Sequence, residues 1–273
     1  MTDWLEVSRN IAREIRREVV PLAGGARGRK VVSASGAGGD ETVYLDALAE
    51  KIAFAHLDKL RAAGERFRVL SEETGTVDFG ADYPLVVIDP IDGSTNAKMG
   101  IPLYALSIAV YDGPTMASGV FGYVMNHADG AEFYAWKGAG KAFFNGKPIA
   151  EIPKKDHFDL LWLELPEGLE KLNSLMPLLP RIDKIRVMGV MALGISYAAV
   201  GAADLFLHVK KSRVLDYAAA KIVMEESGGI VSDERGAPLH SLPIDLERRA
   251  AVAASRHPGL LKAVYGCFGK QRP

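Results

Sequence analysis

With 273 residues, 48% of them apolar, the chain can bury the core of one large domain or of two lobes. Its 33 lysines and arginines against 34 aspartates and glutamates leave a net charge of -1, which removes any electrostatic ground for nucleic acid or an anionic membrane as partner. The single cysteine, Cys267, excludes an intramolecular disulfide and a cysteine-based zinc cluster, and it fits a reducing, cytoplasmic setting.

The opening stretch MTDWLEVSRNIAREIRREVV places Leu5, Ser8, Ile11, Ala12, Ile15 and Val19 at helical spacing among charges. It predicts a docked amphipathic helix and carries no apolar signal-peptide core. Residues 21–44 are rich in glycine and small side chains without sustained periodicity, as in a linker or a functional loop. Leu45, Leu48, Ala49, Ile52, Ala55 and Leu60 then mark a second amphipathic helix that ends near Gly64. RFRVLSEETG reads as a strand that stops in acid, at Glu72 and Glu73. The next strand does the same. Leu85, Val86, Val87 and Ile88 have the continuous apolar character of a strand buried on both faces, yet they run into Asp89 and Asp92 with only Pro90 and Ile91 between.

From 104 to 144 the pattern alternates and is broken by Asp112-Gly113, Asp129-Gly130 and Asn145-Gly146, which predicts a mostly antiparallel sheet. Beyond about residue 155, strands (FDLLWLEL, KIRVMG, ADLFLHV, GGIVSD) alternate with helices (a run to Leu179, 191–200 and 216–227). This change suggests two lobes, residues 1–150 and 151–273, with most of the acids in the first. The uncharged stretch 187–203 is short for a bilayer and reads as an interior helix followed by a strand, so no membrane partner is expected.

Glu72, the Asp89/Asp92 pair and Asp216 all stand at element ends in separate segments, and none of this set is Cys or His. Hard oxygen ligands that converge select Mg2+ or Mn2+. Pro90 removes a backbone donor and pushes Asp89 out of the helical region, so that both carboxylates and the Ile91 carbonyl can face one point. Gly93-Ser94-Thr95 would open a short helix whose N–H groups form an anion pocket beside the metals, a combination that suits phosphate. A two-metal cluster of this kind clamps phosphoryl oxygens and activates water without a covalent enzyme intermediate. Taken singly, Asp216 also fits a helix cap, Glu72 a solvated turn, and Ser94 and Thr95 turn residues. Two acids closing a buried strand have no comparable structural reading, because they repel in a poor dielectric.

On these motifs the sequence resembles the superfamily of inositol monophosphatase and fructose-1,6-bisphosphatase, and LSEETG, VVIDPIDGSTN and RVLDYAAAKIVMEESGG stand in that family's order and spacing. The resemblance runs over almost the whole chain and is strongest to the archaeal branch, whose members often act on both substrates. It implies an α/β (α+β) fold, a layered αβαβα sandwich of the sugar-phosphatase type, and partners limited to a small phosphate ester and a second copy of the chain.

 It further implies that Glu72, Asp89, the Ile91 carbonyl, Asp92 and Asp216 hold two or three Mg2+ ions, with Mn2+ as a substitute. By the same resemblance Gly93, Ser94 and Thr95 bind phosphate, and the catalytic residues are Asp46, Ser94 and Glu72, with the Ser94/Asp46 pair polarising the attacking water.

Three departures accompany the resemblance. Archaeal relatives carry Gly-Ala-Asp-Gly in the mobile loop, with the aspartate helping to hold a third metal; here SGAGGDET has Gly38 in that place, so either Asp40 takes over or the third metal is weaker. Where inositol-specific members place a glutamate, this chain has Val209, followed by Lys210, Lys211 and Arg213, cations that suit a second phosphate or form a solvated turn. Arg186 and Gly189 keep the substrate-side pattern, but Met191 stands where a small polar residue is common. The expected activity is a Mg2+-dependent phosphomonoesterase acting on fructose 1,6-bisphosphate, inositol monophosphate or both. A nucleotide 3′-phosphatase and a silent relative that only binds or regulates are the alternatives.

Overall fold

The computed structural model describes residues 2–37, 39, 41–164 and 172–269. Asp3 caps α1 (Trp4–Val19) by accepting the Glu6 N–H at 3.1 Å, and the helix buries Ile11, Ala12, Ile15 and Val19 as their spacing predicts. The glycine-rich stretch that follows contains a small antiparallel pair, β1 (Val31–Ser33) and β2 (Thr42–Val43). It leads directly into α2 (Tyr44–Ala62), which buries Leu45, Ala49, Ile52, Ala53 and Leu57.

The first sheet comprises β3 (Arg68–Ser71), β4 (Gly75–Asp78), β5 (Leu85–Asp92), β6 (Ala105–Tyr111), β7 (Gly119–Asn126), β8 (Glu132–Trp136), β9 (Ala142–Phe144) and β10 (Lys147–Pro148), with a short helix, α3 (Ser94–Met99), between β5 and β6. Its spatial order is β10-β9-β8-β7-β6-β5-β3-β4, with β3 parallel to β5 and the other neighbours antiparallel. The second sheet follows β11 (Phe158–Glu164), α4 (Leu172–Leu175), β12 (Ile182–Arg186), α5 (Met191–Ala199), β13 (Leu205–Ser212), α6 (Ala218–Glu226), β14 (Ile230–Ser232), β15 (Ala250–Ser255) and α7 (Pro258–Phe268). Its order is β12-β11-β13-β15-β14, parallel among β11, β12 and β13 and antiparallel at β15.

Alternation along the strands builds the layers. Val86 and Ile88 of β5 join a core with α1 and α2, whereas Leu85 and Val87 face the opposite core, shared with α5 and α6. That central core also takes Trp162, Phe206, Val252 and Ala254 from the second sheet, while Leu161, Leu163, Leu205 and Leu207 point away from it toward α7. The result is the expected αβαβα sandwich. No helix among the described residues is long and apolar enough to cross a membrane.

Some elements differ from the sequence reading. β4, β15 and α7 carried no recognised pattern: AAVAAS has the helical propensity of alanine, and its place between β13 and β14 overrides it. β5 runs through Pro90 to Asp92 by way of a register shift, the bulge being where a central strand tolerates proline.

Candidate active site

The bulge in β5 places Asp89 and Asp92 at one end of the first sheet, both buried. Asp89 Oδ1 accepts the Ile91 N–H at 2.9 Å, which curls the chain around the carboxylate. Asp216 ends a 3-10 turn just before α6 and accepts the Arg213 N–H at 3.1 Å. Glu72 sits in the β3–β4 turn, which buried Glu50 secures by accepting from the Thr74 N–H at 3.1 Å, the Thr74 hydroxyl at 2.9 Å and the Ser71 hydroxyl. All four acids line one cleft of about 730 Å3, together with Ile91, Asp46 and Glu73.

Their mutual field is visible in their protonation. Burial, then Glu72, Asp92 and Asp216, hold the Asp89 carboxyl well above the usual carboxylate range. Asp92 is held well above it by burial and by Asp216. Asp216 is pushed up to about 6, chiefly by burial, despite the opposing Arg213. Asp46 is pushed up to about 7 by burial, opposed by Lys98 and reinforced by Glu73. The principal counter-charge within the cluster is Arg213, whose guanidinium lies 2.5 Å from Glu72 and 3.7 Å from Asp216. Crowded carboxylates, with no Cys or His among them, form a donor set that fits hard divalent cations.

Gly93 follows at once, with φ +86°, and opens α3. A Cβ there would meet Val190 Cγ2 at 2.5 Å and the Gly189 carbonyl at 3.2 Å, so only glycine lets the two walls of the cleft approach. Ser94 and Thr95, the first residues of α3, line the cleft beside the acids.

The model of the inositol monophosphatase family matches residues 4–267. The chain belongs to the inositol monophosphatase family. Membership makes it a phosphoric monoester hydrolase. It is 31% identical over 265 residues to a fructose-1,6-bisphosphatase/inositol-1-monophosphatase of Methanothermobacter thermautotrophicus, covering 92% of this chain and 91% of that one. It is also 31% identical to a bifunctional NADP phosphatase/NAD kinase of Methanococcus maripaludis, where 98% of this chain matches 50% of the relative. A solved inositol monophosphatase–fructose 1,6-bisphosphatase superposes with a TM-score of 0.82 at 28% identity, over 97% of this chain and 100% of the other.

Of the residues expected in the site of this family member, Asp46, Glu72, Asp89, Ile91, Asp92, Gly93, Ser94, Thr95, Gly189, Lys210, Lys211, Arg213 and Asp216 converge on the cleft. Two of these expectations need correction. Arg213 was expected to meet a substrate's second phosphate, but its guanidinium is paired with Glu72 and Asp216. Arg186, at the end of edge strand β12, is exposed and is not among the cleft-lining residues; its Nη1 donates to the Ile185 carbonyl at 3.0 Å, and Val187 lines the cleft instead. Asp40 lies outside the described residues.

The inositol monophosphatase fold also brings in residues that the sequence reading passed over. Lys98 and Arg248 line the cleft, as do His208 and Ser212, which contact each other through Nδ1 and Oγ. Glu164, at the end of β11, lines it too, and burial holds its carboxyl above the ordinary range although Trp162 and three backbone N–H groups oppose the shift. For Lys98 the signal was available, one helical turn after Ser94 in α3. For Glu164 and Arg248 there was none, because each enters from a segment with no motif of its own.

Proposed function

We propose that the protein is a Mg2+-dependent phosphomonoesterase of small sugar or polyol phosphates, with fructose 1,6-bisphosphate and inositol monophosphate as the substrates to test first. The observation that carries this reading is the convergence of Asp89, Asp92 and Asp216, buried and mutually repelling, beside the first turn of α3. Glu72, Asp89, the Ile91 carbonyl, Asp92 and Asp216 would hold the cations. When bound, such cations neutralise the phosphoryl oxygens, lower the pKa of water and stabilise the leaving oxygen.

The remaining work falls to the chain's own groups. Backbone N–H groups at the start of α3 orient the phosphate, because the first residues of a helix have no intrahelical acceptor. The Ser94 hydroxyl, paired with Asp46, positions the attacking water and takes part in its deprotonation. Asp46 suits that task because burial brings its carboxyl to about 7, near neutral pH. Arg213 holds Glu72 and Asp216 in place and limits their repulsion. Lys210 and Lys211 line the substrate side, where cations favour a second anionic group.

The same cations support a second reading, a phosphate ester of a dinucleotide, which the Methanococcus relative's name describes for that protein. Phosphate release from a panel of fructose 1,6-bisphosphate, inositol 1-phosphate, NADP and a 3′-nucleotide, with and without Mg2+, tests both readings. Mg2+-dependent release from the sugar or polyol esters is the expected result. Release from NADP alone would select the second reading, and no release from any ester would reject both.

A further inference from the structure

The segment from Met188 to Ala192 contains five successive backbone N–H groups that all end on two carboxylates. Glu164 Oε1 accepts from Met188 at 3.2 Å, Gly189 at 2.9 Å and Val190 at 3.4 Å, and its Oε2 accepts from Gly189 at 2.8 Å. The next two N–H groups, which begin α5, go to Asp92: Met191 at 3.4 Å to Oδ1 and Ala192 at 2.6 Å to Oδ2. Glu164 belongs to the second sheet and Asp92 to the first, so this segment joins the two across the cleft.

Both ends of the arrangement are braced. The Trp162 indole N–H donates to Glu164 Oε1 at 2.7 Å, which holds the carboxylate in place. From the other side, the Asn96 carboxamide donates to the Met188 carbonyl at 2.6 Å and to the Leu103 carbonyl at 2.8 Å, tying the segment to α3. Gly189 takes φ +73°, the left-handed conformation that turns its N–H toward Glu164. Glu164 and Asp92 are only 5% and 9% exposed, so neither set of donors has water as a ready substitute.

The geometry points to Glu164 as a positioning residue: by gathering the N–H groups of 188–190 it sets the start of α5, whose next two N–H groups orient Asp92 for its cation. The inference rests on the reading of Asp92 as a metal ligand. An outer partner that orients a ligating carboxylate is worth about 10–100-fold in metal affinity. Removing Glu164 leaves three backbone donors without their acceptor, and the first turn of α5 loses the restraint that fixes it on Asp92. A glutamine keeps an oxygen for most of these donors but sets an amide N–H2 against Gly189.

The test is calorimetric titration of Mn2+, without substrate, into the full chain stripped of metal, for the wild type, Glu164→Ala, Glu164→Gln and Asp92→Asn. Binding is measured well below each variant's melting temperature. Expected are a loss of about 10–100-fold for Glu164→Ala and a loss of about two- to tenfold for Glu164→Gln, one hydrogen bond's worth. Asp92→Asn should weaken binding at least as much as Glu164→Ala. Wild-type affinity in both Glu164 variants, with only the melting temperature lowered, overturns the inference and leaves the metal reading intact. If Glu164→Ala does not fold, wild-type affinity in Glu164→Gln alone overturns it. Unchanged binding in Asp92→Asn, or no Mn2+ binding by the wild type, overturns the metal reading of Asp92 and the inference with it.

Discussion

The two walls of the cleft are built in opposite ways. One wall is a continuous stretch of chain, Asp89 to Thr95, in which a bulged strand end and a helix start present two acids and the first turn of α3. The other wall is assembled from Glu164, residues 187–191, residues 208–213 and Arg248, supplied by separate elements of the second sheet and its connections. The contiguous wall has its chemistry fixed by local covalent geometry, because Pro90 and Gly93 permit few arrangements of their neighbours. The assembled wall depends on register and packing. Apart from Glu164 and Arg213, which brace acids of the cluster, its residues can change without disturbing those acids, which is where substrate choice can vary.

If that division holds, the largest effects belong to the acids of the contiguous wall and to Asp216, which closes it. Asp89→Asn or Asp216→Asn should lower turnover by orders of magnitude and weaken the response to Mg2+. Either change should also raise the thermal stability of the metal-free protein, since it removes a buried charge that its neighbours repel. Wild-type-like turnover in either variant, measured by phosphate release at saturating Mg2+, would remove the metal assignment. Ser94→Ala comes next, with kcat expected to fall roughly 10²–10⁴-fold and KM to change little, as for a positioned proton-transfer group. A change confined to KM would reduce Ser94 to a phosphate contact.

The same contrast explains what the sequence disclosed. Four apolar residues running into D-P-I-D-G-S-T give the buried strand, the acids and the helix start in a single reading, because each follows from its neighbours in the chain. Arg213 was legible as a cation three residues before Asp216, but not as the partner of Glu72, which lies 141 residues away. Glu164 was legible only as the end of a strand. Its five hydrogen bonds come from Trp162 and from the 188–190 segment, contacts that exist only after β11 and α5 are packed. Arg186 failed for the opposite reason. The motif placed it on the substrate side, but the strand to which it belongs lies at a sheet edge and its side chain is exposed.

A smaller effect should appear as a pH dependence of stability. Asp216 is raised to about 6 from an ordinary 3.8, so the folded state binds its proton more tightly than the unfolded chain does. Its contribution is therefore most favourable below about pH 4 and is lost as pH rises toward 6, and the penalty persists above that. On the proposed reading, a bound Mg2+ would remove the penalty by taking the place of the proton. The melting temperature in EDTA should accordingly fall from pH 5 to 7.5 more in the wild type than in Asp216→Asn, and added Mg2+ should stabilise the wild type more at pH 7.5 than at pH 5. Equal stabilisation at both values would show that the cation does not compete with these protons.

The smallest expected effect is on the assembled wall and concerns choice between substrates. Lys210 and Lys211 lie near the end of β13 and line the cleft together with Arg248, while Arg213 pairs with Glu72 and Asp216. A second phosphate on the substrate would meet cations there, and a solvated contact of this kind is worth about 1 kcal/mol, or roughly fivefold in kcat/KM. Replacing Lys210, Lys211 and Arg248 with alanine should therefore reduce kcat/KM for fructose 1,6-bisphosphate by about that factor or more, and leave inositol 1-phosphate much less affected. The discrimination should shrink as ionic strength rises, because these groups act through solvent. Replacing Arg213 instead should impair both substrates alike, since that residue steadies Glu72 and Asp216 and so belongs functionally to the contiguous wall. Equal losses for the two substrates in the triple variant would mean that the cations serve only to hold the cleft's shape, and the two walls would then share a single role.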